Sequence, residues 1–150
     1  KIEDSLLSKT RDFHHKIMGF DKSPSAVEKA IQNVENSKLD DFIYIKHEDF
    51  FKTQKGGEAH LHMVFNPPYG ERLDIEMETF YGAIGSTLKH KYPGTTAWMI
   101  SSNLEALKHI GLRPSRKIKL FNAKLEARFQ KYEMYAGSKK THKLGMKNNN

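Results

Sequence analysis

The sequence contains no cysteine among its 150 residues. Disulfide bonds and thiolate metal sites are therefore excluded, and the absence fits a reducing compartment, so we expect a cytoplasmic protein. Long apolar runs are also missing, which excludes the stretch of about 20 apolar residues that a membrane helix needs. Residues 1–15 are polar and mixed in charge, and they lack the apolar core of a secretory signal. We therefore expect no membrane partner.

The eight histidines show no convincing metal-ligand spacing. His60 and His62 are two residues apart and share one face of a predicted strand, but no third ligand is evident. We therefore expect no metal and interpret both histidines as surface or packing residues.

Positive charge is concentrated in the last third of the chain. Residues 1–100 carry 13 Lys/Arg and 15 Asp/Glu, whereas residues 101–150 carry 12 Lys/Arg and 3 Asp/Glu. This asymmetry predicts a polyanion-binding face in the second segment. For the tail, residues 138–150, a solubilising disordered segment is the alternative.

Hydrophobic periodicity predicts an α/β fold. Strands are predicted at residues 16–20, 42–46, 60–65 and 95–100, and helices at residues 24–36, 75–90 and 104–110. Two alternating segments, residues 115–121 and 125–135, form a closing hairpin. The order indicates a mainly parallel sheet, covered by helices, with a terminal antiparallel pair. We expect one domain, with a polar lead-in over residues 1–15, a folded part over 16–137 whose first strand is buried, and the basic tail.

The most informative motif is Asn66-Pro67-Pro68-Tyr69, directly after the strand at residues 60–65. Ligands of open α/β sheets bind beyond the carboxyl ends of the strands. The Asn66 side-chain oxygen and the Pro67 carbonyl offer two acceptors, which suit an amino group with two hydrogens. Such acceptors stabilise positive charge that develops on an exocyclic amine during methyl transfer. Tyr69 can stack on a base drawn out of its helix. We therefore assign these four residues as the catalytic set.

The motif resembles the signature of amino-directed methyltransferases that use S-adenosylmethionine. The longer string FNPPYGERL, residues 65–73, resembles the THUMP-domain-containing methyltransferases that make N2-methylguanosine in large-subunit (23S) ribosomal RNA. The resemblance covers residues 16–137. It implies a Rossmann-like class I methyltransferase fold, S-adenosylmethionine as cofactor and ribosomal RNA as substrate. Members are often labelled N6-adenine DNA methylases because they share the four-residue motif.

The resemblance also assigns a set of cofactor-binding residues. Asp21 ends the first predicted strand and would bind the ribose hydroxyls, although it can instead cap the following helix. Asp49 would bind the adenine amino group with Phe50 near the ring, although it can instead be a loop carboxylate beside core phenylalanines. By the same resemblance, Asn66 contacts the cofactor as well.

Nucleic-acid contacts are predicted mainly on the terminal hairpin, which also resembles the family. Arg72 can touch phosphate, pair with Glu71 or simply be solvated at a helix start. The hairpin group is expected to track a nucleic-acid backbone as a set, since strand alternation puts some members on the wrong face. Its members are Arg113, Arg116, Lys117, Lys119, Lys124, Arg128 and Lys131.

A Gly-x-Gly loop, which opens the cofactor site in the resembled fold, is missing from the sequence. We therefore interpret the chain as a part of the catalytic domain that starts after its first strand and helix. The strands ending at Asp21 and Phe65 would then lack the strand between them, so we expect another chain or an N-terminal segment to complete the sheet. We also expect this part alone to bind the cofactor weakly or not at all. Two other functions stay open, an adenine-N6 DNA methyltransferase and a non-catalytic nucleic-acid-binding module.

Overall fold

The computed structural model describes residues 2–70 and 75–137. No helix among them is long and apolar enough to cross a bilayer. In chain order the elements are α1 (Ile2–Leu7), β1 (Ile17–Asp21), α2 (Pro24–Asn36), β2 (Ile43–His47), a 3-10 turn (Phe50–Lys52), β3 (Leu61–Phe65), α3 (Ile75–Lys91), β4 (Thr95–Ser101), a second 3-10 turn (Ala106–Ile110), β5 (Arg116–Asn122) and β6 (Leu125–Met134).

The chain divides into two compact units, the first ending at Lys52 and the second starting at Thr53. In the first unit β1 and β2 pair in parallel, from Ile17 opposite Ile43 to Asp21 opposite His47. α2 begins as the sequence predicts, because the Ser23 hydroxyl accepts from the backbone N–H of Ala26 at 3.4 Å and Pro24 occupies the first turn.

The expectation that the first strand is buried is wrong. Ile17, Met18 and Phe20 are each about half exposed, at 49%, 48% and 52%. The reason is that, within the described residues, β1 pairs only with β2 and contacts α2, which leaves one edge and part of its surface uncovered. Helix α1 was not predicted either, and all its side chains with a described environment are exposed.

The second unit contains a four-stranded sheet in the order β3-β4-β6-β5. β3 and β4 are parallel, whereas β6 is antiparallel to both β4 and β5, so the predicted hairpin is confirmed. Buried side chains from α3, β4, the second 3-10 turn and β6 form the core, including Tyr81, Ile84, Leu88, Met99, Ile110 and Tyr132.

The second 3-10 turn differs from the predicted helix at residues 104–110, because it is tighter and starts later, at Ala106. The Asn103 side chain accepts from the backbone N–H of Ala106 at 2.9 Å, which fixes the start of the turn. Gly111 ends it with a φ of 72°, the left-handed conformation expected of a glycine at this position.

The sheet of the second unit brings three chain segments to one side. β3 ends at Phe65 and β4 ends two pairs beyond the Phe65–Met99 pair, at Ser101. Ser101 pairs with Arg128 of β6, which pairs with Lys119 of β5. The ends of β3 and β4 and the β5–β6 hairpin therefore point to the same side of the sheet, and the hairpin tip, Asn122 opposite Leu125, projects three pairs beyond Ser101.

Candidate active site

The loop Asn66–Tyr69 leaves the sheet on this side. The ladder between β3 and β4 stops at Phe65, since the prolines that follow Asn66 have no N–H to donate. Pro67 is buried, Tyr69 is half-buried, and Asn66 and Pro68 are exposed. The structure thus places the predicted catalytic motif at the carboxyl end of a strand, as the sequence indicates.

A buried hydroxyl pair holds the Pro68 carbonyl. The Tyr81 hydroxyl donates to the Pro68 carbonyl oxygen at 3.1 Å, and its oxygen lies 2.6 Å from the Ser101 hydroxyl. Both Tyr81 and Ser101 have no exposed surface. Burial raises the pKa of Tyr81, opposed by the Ser101 hydrogen bond, so the phenol keeps its proton and stays a donor.

Asn103 holds the next carbonyl along the loop. Its side-chain amide donates to the Tyr69 carbonyl oxygen at 2.6 Å, and its backbone N–H donates to the Ser101 hydroxyl at 3.1 Å. The same side chain also starts the turn at Ala106. One residue therefore joins the end of β4, the following turn and the motif loop.

By contrast, none of the described residues hydrogen-bonds to the Asn66 side chain or to the Pro67 carbonyl. Residues in the described part of the chain thus engage the carbonyls of Pro68 and Tyr69 and leave open the two acceptors that the sequence assigns to an amino group. Such a pair can accept two hydrogen bonds from one nitrogen.

Sequence reasoning missed Tyr81, Ser101 and Asn103 as residues of this site. Tyr81 is a fully buried residue of the core, and its hydroxyl also reaches the motif. The signal available in the sequence was the polar run Ser101-Ser102-Asn103 directly after a predicted strand, because parallel strands bring such residues to the edge that carries the motif.

At the end of β1, Asp21 is exposed and its carboxylate is oriented by the protein. One carboxylate oxygen accepts from the backbone N–H of Ser23 at 2.7 Å. Ser23 itself supplies the side-chain cap of α2, so Asp21 does not replace it in that role. The other Asp21 oxygen hydrogen-bonds to none of the residues that the structure describes.

Asp49 follows β2, two residues after His47, which pairs with Asp21. Its carboxylate accepts from the backbone N–H of Phe51 at 3.1 Å, which starts the 3-10 turn, and it lies 3.9 Å from the Lys22 ammonium. Phe50 is half-buried, and its ring meets that of Phe51 edge-on with centroids 5.5 Å apart. The carboxyl edge of β1 and β2 therefore carries Asp21 and Asp49 together.

The predicted nucleic-acid residues occupy different parts of the hairpin. Lys119 and Arg128 are paired across β5 and β6, and both bind the Glu126 carboxylate, at 3.1 and 2.8 Å. Arg116 and Lys117 begin β5 in the same rows of the sheet as Val64 and Phe65, the last two residues of β3. Their side chains point to opposite faces, and Arg113 precedes the strand. Arg72 lies outside the described residues.

His60 and His62 are exposed side chains of the second unit. His60 is 2.9 Å from the Thr96 hydroxyl, and its ring lies 4.9 Å from that of His62. No group of three metal-ligating side chains occurs within residues 2–70 and 75–137.

Residues 3–131 match the model of a protein family described as the RMKL-like methyltransferase domain. The chain belongs to this family. It is 32% identical to the ribosomal RNA large subunit methyltransferase K/L of Syntrophotalea carbinolica over 79% of the chain. It is also 32% identical to the protein of the same name from Hahella chejuensis, over 89% of the chain. The chain spans 17% and 19% of the length of these two relatives.

Solved structures share the fold. SMU.472, crystallised with SAH, superposes with a TM-score of 0.78 at 22% identity, over 91% of this chain and 36% of that one. A Listeria monocytogenes protein named "predicted N6-adenine-specific DNA methylase" gives a TM-score of 0.65 at 28% identity, over 79% of this chain and 30% of that one. The Rossmann-like α/β fold with a terminal antiparallel hairpin, expected from the sequence, is confirmed.

Proposed function

We propose that this protein transfers a methyl group from S-adenosylmethionine to the exocyclic amine of a nucleic-acid base, namely guanine N2 in 23S ribosomal RNA. One observation carries the proposal. In the motif loop, Tyr81 and Asn103 hold the carbonyls of Pro68 and Tyr69, while the Asn66 amide oxygen and the Pro67 carbonyl accept no hydrogen bond from residues 2–70 and 75–137.

The open pair has the chemistry that amine methylation needs. The lone pair of an exocyclic amine is delocalised into the ring, so the nitrogen is a poor nucleophile. Two acceptors held by a stiff Pro-Pro segment favour a pyramidal nitrogen and stabilise the positive charge that forms on it. They also align the nitrogen with an incoming methyl group. Tyr69, which is half-buried beside them, offers a ring face on which the base can stack.

The acidic residues of the first unit fit the cofactor that this reaction requires. Bound S-adenosylmethionine would supply the electrophilic methyl group. Asp21 has an oriented carboxylate with one oxygen open, which suits the ribose hydroxyls, and Asp49 with Phe50 would hold the adenine. Two structures of the same fold, SMU.472 and an RNA methyltransferase from Salinibacter ruber, were solved with S-adenosylhomocysteine, which supports this assignment.

An RNA substrate is supported by the relatives and by the hairpin tip. Both curated relatives are named as ribosomal RNA methyltransferases. Phe121 is 62% exposed at the tip, and the Lys119 ammonium lies 5.1 Å from its ring centre. β5 is three strand positions from β3, and Phe121 lies four pairs beyond the row that contains Phe65, so the tip projects past the end of β3 on the side of the sheet that carries the motif loop. An exposed ring beside a cation suits an unpaired base of the same RNA.

DNA adenine N6 is the second candidate. Its support is the name of the Listeria monocytogenes structure. The Asn66 and Pro67 acceptors also fit the exocyclic amine of adenine as well as that of guanine.

The proposal has two further parts. The protein belongs to the THUMP-containing subgroup, and a further segment or chain completes the sheets at β1 and β3.

The reaction can be tested with the natural protein, labelled S-adenosylmethionine at saturating concentration, and RNA from cells that lack the activity. The Asn66→Ala variant removes one of the two acceptors, so we expect transfer to fall by about 10²-fold or more. Saturation prevents weaker cofactor binding from causing the loss. Asn36→Ala, at the exposed end of α2, is the matched control and should transfer label normally. Equal rates for Asn66→Ala and the unaltered protein would contradict the proposal.

A further inference from the structure

The sequence of the motif loop limits how its backbone can be held in place. Pro67 and Pro68 have no N–H group, so the backbone there can be held only through carbonyl oxygens. If every carbonyl were left free, the Asn66 and Pro67 acceptors would have no fixed direction. The structure engages the carbonyls of Pro68 and Tyr69, directly after the open pair.

The donors in this network have one possible order. The Tyr81 hydroxyl has a single hydrogen and gives it to the Pro68 carbonyl, which cannot donate. Ser101 must therefore donate to the Tyr81 oxygen across the 2.6 Å contact. The Ser101 oxygen in turn accepts from the backbone N–H of Asn103. Every hydrogen points toward the loop, and because Tyr81 and Ser101 are fully buried, water does not compete.

We infer that Asn103 is the positioning residue of this site. Its backbone N–H starts the chain that ends on the Pro68 carbonyl, and its side-chain amide holds the Tyr69 carbonyl. By fixing both carbonyls it sets the directions of the Asn66 amide and the Pro67 carbonyl. The inference rests on the proposed methyl transfer for its functional consequence, but the anchoring itself is independent of that reaction.

A single substitution separates the two roles of the Asn103 side chain. Asn103→Asp keeps an oxygen that can accept from the Ala106 N–H, so the 3-10 turn retains its start. It removes the amide hydrogens that reach the Tyr69 carbonyl. Asn103→Ala removes both interactions. Tyr81→Phe removes the donor to the Pro68 carbonyl and gives an independent test should the Asn103 variants fail to fold.

The test compares these variants in the natural protein. For Asn103→Asp we expect kcat to fall by about 10- to 100-fold, because a small misplacement of the acceptors is costly. The Kd for S-adenosylhomocysteine and the unfolding temperature should stay close to those of the unaltered protein. Asn103→Ala should lose both kcat and thermal stability, and Tyr81→Phe should also lose kcat.

A second readout does not depend on activity. The backbone carbonyl 13C chemical shift of Tyr69 should move upfield in Asn103→Asp relative to the unaltered protein, because this carbonyl loses its hydrogen bond. An unchanged carbonyl shift together with unchanged kcat would overturn the inference while leaving the proposed function intact. If the unaltered protein transfers no methyl group, the proposed function fails, and the carbonyl shift alone then decides whether Asn103 anchors the loop.

Discussion

Asn66 and Tyr69 lie three positions apart in one motif, and the protein uses their polar groups in opposite ways. The Tyr69 carbonyl is held by Asn103, whereas the Asn66 side chain is exposed and hydrogen-bonds to none of the residues in the described part of the chain. Because the Pro-Pro segment between these two residues is stiff, holding the Tyr69 carbonyl also fixes the direction of the Asn66 side chain. Reactivity and anchoring are therefore assigned to different residues of the same loop.

At the residue scale, the motif and its chemistry could be predicted from the sequence because they are local. The string Asn66–Tyr69 follows an apolar strand, and strand ends are where such sheets bind ligands. The role of Asn103 could not be predicted in the same way. It depends on β4 lying beside β3, which is a contact between residues 34 positions apart in the chain.

Two buried tyrosines predict how stability responds to alkaline pH. Burial raises the pKa of both Tyr81 and Tyr132 above the ordinary value of 10.0. The folded state therefore keeps protons that the unfolded state loses, so the free energy of unfolding is unaffected below about pH 10 and falls as the pH rises above it. Tyr132→Phe removes one of these groups. Urea unfolding below and above pH 10 should show a smaller alkaline loss in this variant, and equal losses would argue against the burial effect.

At the element scale, two glycines of α3 differ in what they contact. A side-chain carbon built at Gly85 would lie 1.6 Å from the Ile110 carbonyl oxygen of the second 3-10 turn. At Gly82 the nearest atom is the His109 carbonyl oxygen, at 3.6 Å, which is ordinary contact. α3 therefore approaches the turn more closely at Gly85 than at Gly82.

We predict that Gly85→Ala destabilises the protein although alanine favours helix. The helix preference is worth about 1 kcal/mol, but the displaced backbone of the turn costs on the order of 1–3 kcal/mol or more. Gly82→Ala gains the same preference without the clash, so it should be neutral or slightly stabilising. Thermal unfolding of both variants is the measurement. A Gly85→Ala protein as stable as Gly82→Ala would show that α3 and the turn are not packed as described.

The elements show where periodicity suffices and where it does not. β2, β3, β4 and the hairpin lie within a residue or two of their predicted positions, because apolar runs and alternation are local signals. The burial of β1 was mispredicted, since burial depends on which neighbours cover a strand and not on its own composition. The second 3-10 turn was predicted as a longer helix, because periodicity does not reveal that the Asn103 side chain sets the start of the turn at Ala106.

At the scale of the whole molecule, the basic segment lies on the same side of the sheet as the motif loop. The segment predicted from residues 101–150 includes β5 and β6, whose tip projects beyond the end of β3 on that side. Its charge is partly neutralised, because Lys119 and Arg128 share Glu126 and Lys131 pairs with Glu133 at 2.9 Å. We therefore expect the exposed Phe121 ring and the cations beside it to act on an unpaired base rather than as a broad electrostatic surface.

The central claim is that the open Asn66–Pro67 acceptors direct methyl transfer to the amine of a guanine in ribosomal RNA. The most direct test is to incubate the natural protein with labelled S-adenosylmethionine and with either total RNA or DNA. The products are then digested, and the labelled nucleoside is identified. The account predicts labelled N2-methylguanosine from RNA and none from the Asn66→Ala variant. Labelled N6-methyladenine from DNA would overturn the substrate, and a folded, cofactor-binding protein that labels neither nucleic acid would contradict the account itself.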